Sequence, residues 1–225
     1  MAWTAKRRPP RLVPPPRSSK PPDCRYGLLT VHGIAKPAYR AFQLLAGAGT
    51  TRLEAVRVVD PAPGYMNAST ISALVTRGSA FGDGRELQLF LTNFGPERGA
   101  TTAPWTPVAR NVSVTLGPRA GARHPHDPWP RSGRDTWPEL VLEQRIDDQA
   151  TAPLAAWKSM GEPDYPTTEQ LARLAAASEM PSRWVALTAL SSCRAVLTVE
   201  LPPQGVAHIR IPSPPLCALA AFPHS

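Results

Sequence analysis

The sequence predicts a mainly β protein, specifically an antiparallel β-sandwich with two short inserted helices. From about residue 54, apolar and polar residues alternate with a period of two, which gives strands one buried and one wet face. Turn-forming Gly, Asn and Pro separate these runs, and 28 prolines in 225 residues disfavour long helices. The predicted strands are Ala55–Val59, Ile71–Thr76, Glu86–Thr92, Asn111–Leu116, Glu139–Ile146, Trp184–Leu190, Ala195–Leu201 and Val206–Ile211.

Residues 1–25 are predicted to form a disordered tail, because three proline clusters and few apolar residues oppose any packed element. This tail contains seven basic residues and one acidic residue, so it supplies +6 of the formal net charge of +8. A nucleic-acid-binding domain carries its basic residues on the folded face that docks. We therefore expect no nucleic-acid partner.

Residues 26–50 are predicted to form a short strand, Tyr26–Val31, followed by one helix. Pro37 occupies the first helical position, where proline is favoured. The apolar stripe of this helix comprises Ala38, Phe42 and Leu45. Gly47 and Gly49 are predicted to end the helix. Because the stripe needs burial, we expect the helix to dock on the β domain.

Two short helices interrupt the strand pattern between residues 153 and 178. In the first, the face formed by Leu154, Trp157 and Met160 precedes a stop at Gly161. In the second, Thr167 and Gln170 are spaced as a capping box requires, and Leu171, Leu174 and Ala175 form the apolar stripe. Residues 119–138 are predicted to be a long inserted loop.

The three cysteines, Cys24, Cys193 and Cys217, include no CxxC pair, which excludes zinc-ribbon and thioredoxin-like sites. A Cys193–Cys217 disulfide and buried free thiols are both open alternatives. The longest apolar stretch, Leu216–Phe222, is far shorter than the roughly 20 residues that a membrane span needs. The N-terminus has no apolar segment of the kind found in a signal peptide. We expect no membrane partner.

Two segments carry a resemblance to glycoside hydrolase family 39, which includes β-xylosidases and α-L-iduronidases. The first is Tyr26–Leu45, with matches at Gly33, Lys36, Pro37, Ala41, Phe42, Leu44 and Leu45. The second is Arg145–Ser178, where the pattern W..MG.P.YPT.EQL..L..AS begins at Trp157. The chain resembles the C-terminal portion of such an enzyme. Residues 26–50 would be the final strand and helix of a (β/α)8 barrel, residues 51–213 the β-sandwich, and residues 214–225 a C-terminal tail.

The resemblance implies hydrolysis of O-glycosyl bonds of the xyloside or iduronide type. Family members use two glutamates on barrel strands that would precede Tyr26, so no catalytic residue is assigned to this chain. We expect a fragment that is inactive alone, with carbohydrate as partner by resemblance and no cofactor. Family members are often secreted or lysosomal. The alternative is a stand-alone carbohydrate-binding or structural β-sandwich module.

Other candidate residues each have a structural explanation beside the functional one. His124, His126 and Asp127 could bind a metal, but they lie in the predicted loop without a second cluster, so no metal site is expected. Asp147-Asp148 could act in acid–base chemistry, although a strand-end or cap role is favoured. His32 could border a sugar site or simply occupy a turn.

Five tryptophans could stack on sugars: Trp105, Trp129, Trp137, Trp157 and Trp184. Trp129 and Trp137 are the better candidates because they lie in the predicted loop, whereas Trp157 is expected in the core. Asn67 and Asn111 begin N-glycosylation sequons. No substrate-binding residue is assigned from these patterns.

Overall fold

The computed structural model describes residues 27–53, 56–59, 71–79, 86–94, 109–117, 136–212 and 214–215. The predicted tail over residues 1–25 and nearly all of the predicted loop over residues 119–138 lie outside the described residues. No helix in the described part of the chain is long and apolar enough to cross a membrane.

The described residues form a mainly β structure with three helices and nine strands. The helices are α1 (Pro37–Ala46), α2 (Pro153–Ser159) and α3 (Thr168–Ala177). The strands are β1 (Ala48–Leu53), β2 (Val56–Val59), β3 (Ile71–Ser79), β4 (Leu87–Asn93), β5 (Arg110–Leu116), β6 (Leu140–Ile146), β7 (Ser182–Ser191), β8 (Arg194–Leu201) and β9 (Val206–Ile211). Every strand pair is antiparallel, in the order β1-β3-β4-β9-β6-β7-β8-β5-β2. We call these nine strands the sheet body.

The sheet body is one continuous curled sheet, and β7 joins its two parts. Residues 182–186 of β7 pair with β6, whereas residues 187–191 pair with β8. The chain thus turns from one part of the sheet to the other without breaking its hydrogen-bond ladder. The sandwich of two sheets and the barrel remnant predicted from the sequence are therefore not confirmed, while the mainly β, antiparallel architecture is.

The core lies on the concave face of the sheet body. Alternate residues of strands β3 to β9 point into it, as the period-two pattern requires. Leu89, Leu197 and Ile209 are fully buried there, on strands from both parts of the sheet. Each such side chain contributes about 1.5–3 kcal/mol of burial free energy. The predicted strands β3 to β9 thus have one common cause, a shared apolar interior.

Strand β1 is absent from the sequence prediction. Its sequence, AGTTRL, has no apolar alternation, and pairing with β3 determines its conformation. Gly47 caps α1 as expected, but Gly49 belongs to β1. A Cβ atom on Gly49 would lie 2.1 Å from the carbonyl oxygen of Arg77, so only glycine permits this close strand approach. The predicted Tyr26–Val31 strand is wrong over its described part, which holds a single bridge between Leu29 and Ala35.

Helix α1 docks on the convex face of the sheet body, but through a different face from the one predicted. Leu44 packs in a small cluster with Phe90 and Ile146, and Ala41 packs beside them. Phe42 and Leu45 of the predicted stripe remain 61% and 49% exposed. We call Ala38, Phe42 and Leu45 the α1 stripe.

Helix α3 begins as predicted. The Thr167 hydroxyl accepts from the backbone N–H of Gln170, and the Gln170 side chain accepts from the backbone N–H of Thr167. Leu174 is buried. Backbone and Thr167 hydrogen bonds lower the pKa of Glu169 in the first turn. The cap therefore defines this helix start locally, independent of the sheet.

Candidate functional site

The predicted acidic pair divides into one buried and one exposed residue. The Asp147 side chain is 2% exposed and ion-pairs with Arg145 at 2.7 Å. Its Oδ1 accepts the backbone N–H groups of Gln149 and Ala150 at 2.8 and 2.7 Å. Asp148 is exposed. Asp147 therefore shapes the turn after β6, which is the favoured strand-end role.

His32 lies in an exposed turn beside Gly33, whose φ is +76°. Asn111 is exposed on β5, whereas the Asn67 sequon lies outside the described residues. The candidate metal residues His124, His126 and Asp127 also lie outside them. In the part of the chain that the structure describes, no group of three or more metal-ligating side chains occurs.

The tryptophans differ from their expected placement. Trp137 is buried in the main core, so it offers no sugar-stacking surface. Trp157 is half-buried, and its indole N–H donates to the carbonyl oxygen of Pro163 at 3.2 Å. Trp184 is 65% exposed on β7, opposite Leu142 of β6. Trp105 and Trp129 lie outside the described residues.

Cys193 is disulfide-bonded, so the free-thiol alternative is wrong for this residue. The two other cysteines, Cys24 and Cys217, lie outside the described residues.

A cavity of about 360 Å³ lies between α1 and the convex face of the sheet, and we call it the His208 cavity. Its floor contains His208, which stacks on Phe90 with ring centroids 4.5 Å apart. Arg40 of α1 borders the cavity and donates to the carbonyl oxygen of Ser178 at 2.8 Å. Arg40 also ion-pairs with Glu179 at 2.6 Å. The cavity therefore has charged residues at its rim and the buried polar side chains of Gln88 and His208 beneath.

The hydrogen bonds of Gln88 determine which ring nitrogen of His208 carries the proton. Gln88 Nε2 donates to the carbonyl oxygens of Gly47 and Gly78, so Gln88 Oε1 must accept from His208 Nε2 at 3.1 Å. His208 Nδ1 is then a buried lone pair without a partner among the described residues. Burial, with a smaller effect from the Arg210 charge, lowers the pKa of His208 to about 4. His208 is neutral near pH 7 and cannot easily gain a proton in place.

A second cavity, of about 200 Å³, lies where β6 ends and β7 begins, and we call it the Glu143 cavity. Glu143 is fully buried, and its Oε2 accepts from Nε of Arg183, which is 53% exposed. This hydrogen bond raises the pKa of Arg183 and keeps it charged. Arg145 and Asp147 line the same cavity.

Sequence reasoning missed Glu143 and His208, although the sequence contains a signal for one of them. Glu143 shares the inward phase of β6 with Val141, so a charged residue stands where the alternation requires an apolar one. Burying a carboxylate needs partners, and such a position is worth searching. His208 has no comparable signal, because its partners come from strands distant in sequence.

Comparison with known proteins supports the family resemblance. A β-xylosidase of Caldicellulosiruptor saccharolyticus is 28% identical over 196 residues, which cover 87% of this chain and 33% of the relative. The chain therefore spans about a third of the length of that relative. No protein-family model matches the chain.

One solved structure agrees with this chain at the level of fold. The crystal structure of a family 39 glycoside hydrolase from Xanthomonas axonopodis pv. citri matches with a TM-score of 0.51 and 15% identity, over 84% of this chain and 32% of that one. A family 39 β-xylosidase from Caulobacter crescentus gives a TM-score of 0.46 and 17% identity, over 83% and 30%. The resemblance to family 39 predicted from two segments is confirmed, and the partial coverage is consistent with a C-terminal portion.

Proposed function

We propose that this chain is the C-terminal β-rich part of a glycosidase that hydrolyses O-glycosyl bonds of xylosides or iduronides. In this proposal, residues 26–50 contain the last helix of a (β/α)8 barrel, α1, and the sheet body forms a β-sandwich domain beside it. Residues 1–25 and 214–225 are tails. The catalytic glutamates belong to the barrel, and this chain contributes none.

The α1 stripe carries this proposal. Phe42 and Leu45 expose apolar surface on a helix whose adjacent face, with Ala41 and Leu44, already packs against the sheet body. Contiguous exposed apolar surface on a folded domain marks an interaction site. A barrel that packs on this stripe would enclose α1 between two bodies, which explains why one helix has apolar residues on two sides.

The buried carboxylates agree with a structural role for this part. Among the described residues, the three buried acidic side chains are each ion-paired with an arginine: Glu86 with Arg210, Glu143 with Arg183 and Asp147 with Arg145. A retaining glycosidase needs two carboxyl groups about 5–5.5 Å apart across a substrate cleft, one of which protonates the leaving group. Arginine pairing suits these three residues to stabilising the fold.

The experiment has two parts. The 225-residue chain is first assayed alone with 4-nitrophenyl β-D-xyloside and 4-nitrophenyl α-L-iduronide, and we expect no turnover. The chain is then mixed with the separately produced remaining part of the C. saccharolyticus β-xylosidase, and complex formation is followed by size-exclusion chromatography. Turnover by the chain alone would contradict the proposal.

A matched pair of variants tests the docking surface. Phe42→Asp places a charge on the α1 stripe and should prevent the complex. Phe94→Asp makes the same change at a phenylalanine that is also 61% exposed but lies after β4, and should leave the complex intact. Equal effects of both variants would show that the α1 stripe is not the interface.

A second candidate function is a stand-alone carbohydrate-binding module, which the exposed ring of Trp184 favours. An exposed aromatic ring on a sheet can stack on a sugar ring. A xylan pull-down tests this function: retention that Trp184→Ala abolishes and Trp157→Ala does not would support it.

A further inference from the structure

Glu143 is a buried carboxylate, and only one of its two oxygens has a hydrogen-bond partner among the described residues. Its side chain is 0% exposed, and Oε2 accepts from Nε of Arg183. Oε1 is buried and has no hydrogen-bond partner among the described residues. An unpartnered buried charged oxygen costs more than the roughly 1–3 kcal/mol of an unmade neutral hydrogen bond. The position therefore lacks a hydrogen-bond donor.

Glu86 shows that the same sheet can satisfy such a carboxylate completely. Glu86 is also buried and also pairs with a half-exposed arginine on a neighbouring strand. There Arg210 reaches both oxygens, with Nε 2.5 Å from Oε1 and a terminal nitrogen 3.3 Å from Oε2. Arg183 uses only Nε toward Glu143. Among the described residues, the difference leaves one carboxylate oxygen of Glu143 and the terminal guanidinium nitrogens of Arg183 without a hydrogen-bond partner.

The walls of the Glu143 cavity restrict the chemistry of that molecule. Glu143 pairs with Arg183 and Asp147 pairs with Arg145, so the charges of the cavity cancel. A neutral ligand is therefore favoured. The ligand must donate to Glu143 Oε1 and accept from Arg183, and adjacent hydroxyl groups on one ring do both.

The volume of the Glu143 cavity favours a small ligand. The cavity holds about 200 Å³. Sites for drug-sized ligands range from about 300 to 1,000 Å³, so this one suits a smaller molecule such as a single sugar ring.

We propose that the Glu143 cavity binds one neutral pyranose sugar through two neighbouring hydroxyl groups. One hydroxyl donates to Glu143 Oε1, and the next accepts from the terminal nitrogens of Arg183. Glu143 lines the cavity, and the last side-chain torsion of glutamate is broad and low in cost, so rotation of the carboxylate brings Oε1 to the ligand. The choice of carbohydrate rests on the proposed function, but the site lies on the sheet body and does not use the α1 stripe.

The test is a titration of the 225-residue chain with D-xylose, followed by NMR at the arginine Nε–H resonances. We expect saturable shifts of the Arg183 signal. Arg183→Lys, which keeps the charge but loses the planar fork, should weaken binding by about tenfold or more, as the loss of one charge-assisted hydrogen bond implies. Glu143→Gln should weaken it similarly while keeping the side-chain shape. Arg210→Lys is the matched control and should change binding by less than about twofold.

Several outcomes would overturn the proposal. These are the absence of saturable shifts, equal weakening by Arg210→Lys, or tighter binding of N-methylacetamide, whose amide also donates and accepts, than of D-xylose. The last result would assign the cavity to a peptide group. Because none of these readouts depends on α1, failure here leaves the proposed function standing, and failure of the complex with the barrel leaves this site standing.

Discussion

The concave face of the sheet body and the outer face of α1 are both rich in apolar residues, yet only the first is closed. On the concave face, Leu197 and Ile209 have no exposed surface, and strands from both parts of the sheet cover them. On α1, Leu44 is 5% exposed while Phe42 is 61% exposed. The difference shows that the sheet body buries its own core, whereas α1 buries one side and presents the other.

This contrast separates what stabilises the chain from what it contacts. The sheet supplies the free energy of folding through its interior, and the α1 stripe contributes little until something covers it. Mutations in the concave core should therefore change mainly the stability of the chain, and mutations in the α1 stripe should change mainly what it binds.

The largest effect is expected in the concave core. Leu197→Ala removes a fully buried side chain and should lower the free energy of unfolding by about 2–5 kcal/mol. Urea denaturation followed by circular dichroism measures this loss. Leu190→Ala, at an exposed leucine of β7, should stay within about 0.5 kcal/mol of the parent. Equal losses at both sites would contradict the closed core.

Lowering the pH should reduce the free energy of unfolding through His208, which lies between the sheet and α1. Since the pKa of His208 is lowered to about 4 from 6.5, the unfolded chain binds a proton that the folded chain refuses. The contribution of His208 is fully present above pH 6.5 and is lost as pH falls toward 4, by about 3 kcal/mol in total.

Unfolding free energies measured between pH 7 and pH 4 check this sign. His208→Gln should flatten the loss across that range, and His32→Gln, in an exposed turn, should retain it. An unchanged slope in His208→Gln would show that other groups cause the acid sensitivity.

The two neighbouring leucines of α1 sharpen the comparison within one helix. Leu44→Ala should cost about 2 kcal/mol, near the lower limit for buried leucines, because the cluster it fills is small. Leu45→Ala, at a half-exposed position on the other side, should cost well under 1 kcal/mol. Urea denaturation measures both, and a reversed order would mean that the α1 stripe is the docked face.

The smallest effect on stability is expected at the α1 stripe. Phe42→Ser should change the free energy of unfolding by less than about 0.5 kcal/mol, yet it should reduce binding of the apolar dye ANS. Phe94→Ser, at an equally exposed phenylalanine, should reduce dye binding less because it lies outside the stripe. Equal reductions would indicate scattered apolar surface without a defined patch.

The sequence correctly predicts the elements whose conformation is determined by residues within the element itself. The alternation in β5 and β8 and the Thr167 capping box each contain their own signal, and these elements form where expected. Strand β1 has no such signal, because its pairing with β3 and the close approach at Gly49 decide its conformation. Likewise, α1 has apolar residues on two sides, and only the tertiary structure decides that Leu44 is buried.

The same limit applies to the candidate site. Glu143 stands out from the phase of its strand, but its half-satisfied state depends on the reach of Arg183 from β7. His208 depends on Gln88, which is 120 residues away in sequence and itself bonded to the end of α1. Such contacts between distant segments cannot be derived from a local pattern.

Hydrogen exchange of the 225-residue chain, measured by mass spectrometry, tests the central contrast most directly. If the sheet body closes its own core and α1 lacks its partner, amides of β4, β8 and β9 exchange only through global unfolding, while amides of α1 open at a much lower free energy. Adding the remaining part of the C. saccharolyticus enzyme, the part that this chain does not match, should then slow exchange in α1 alone. Protection of α1 equal to that of β4 in the isolated chain would contradict the account.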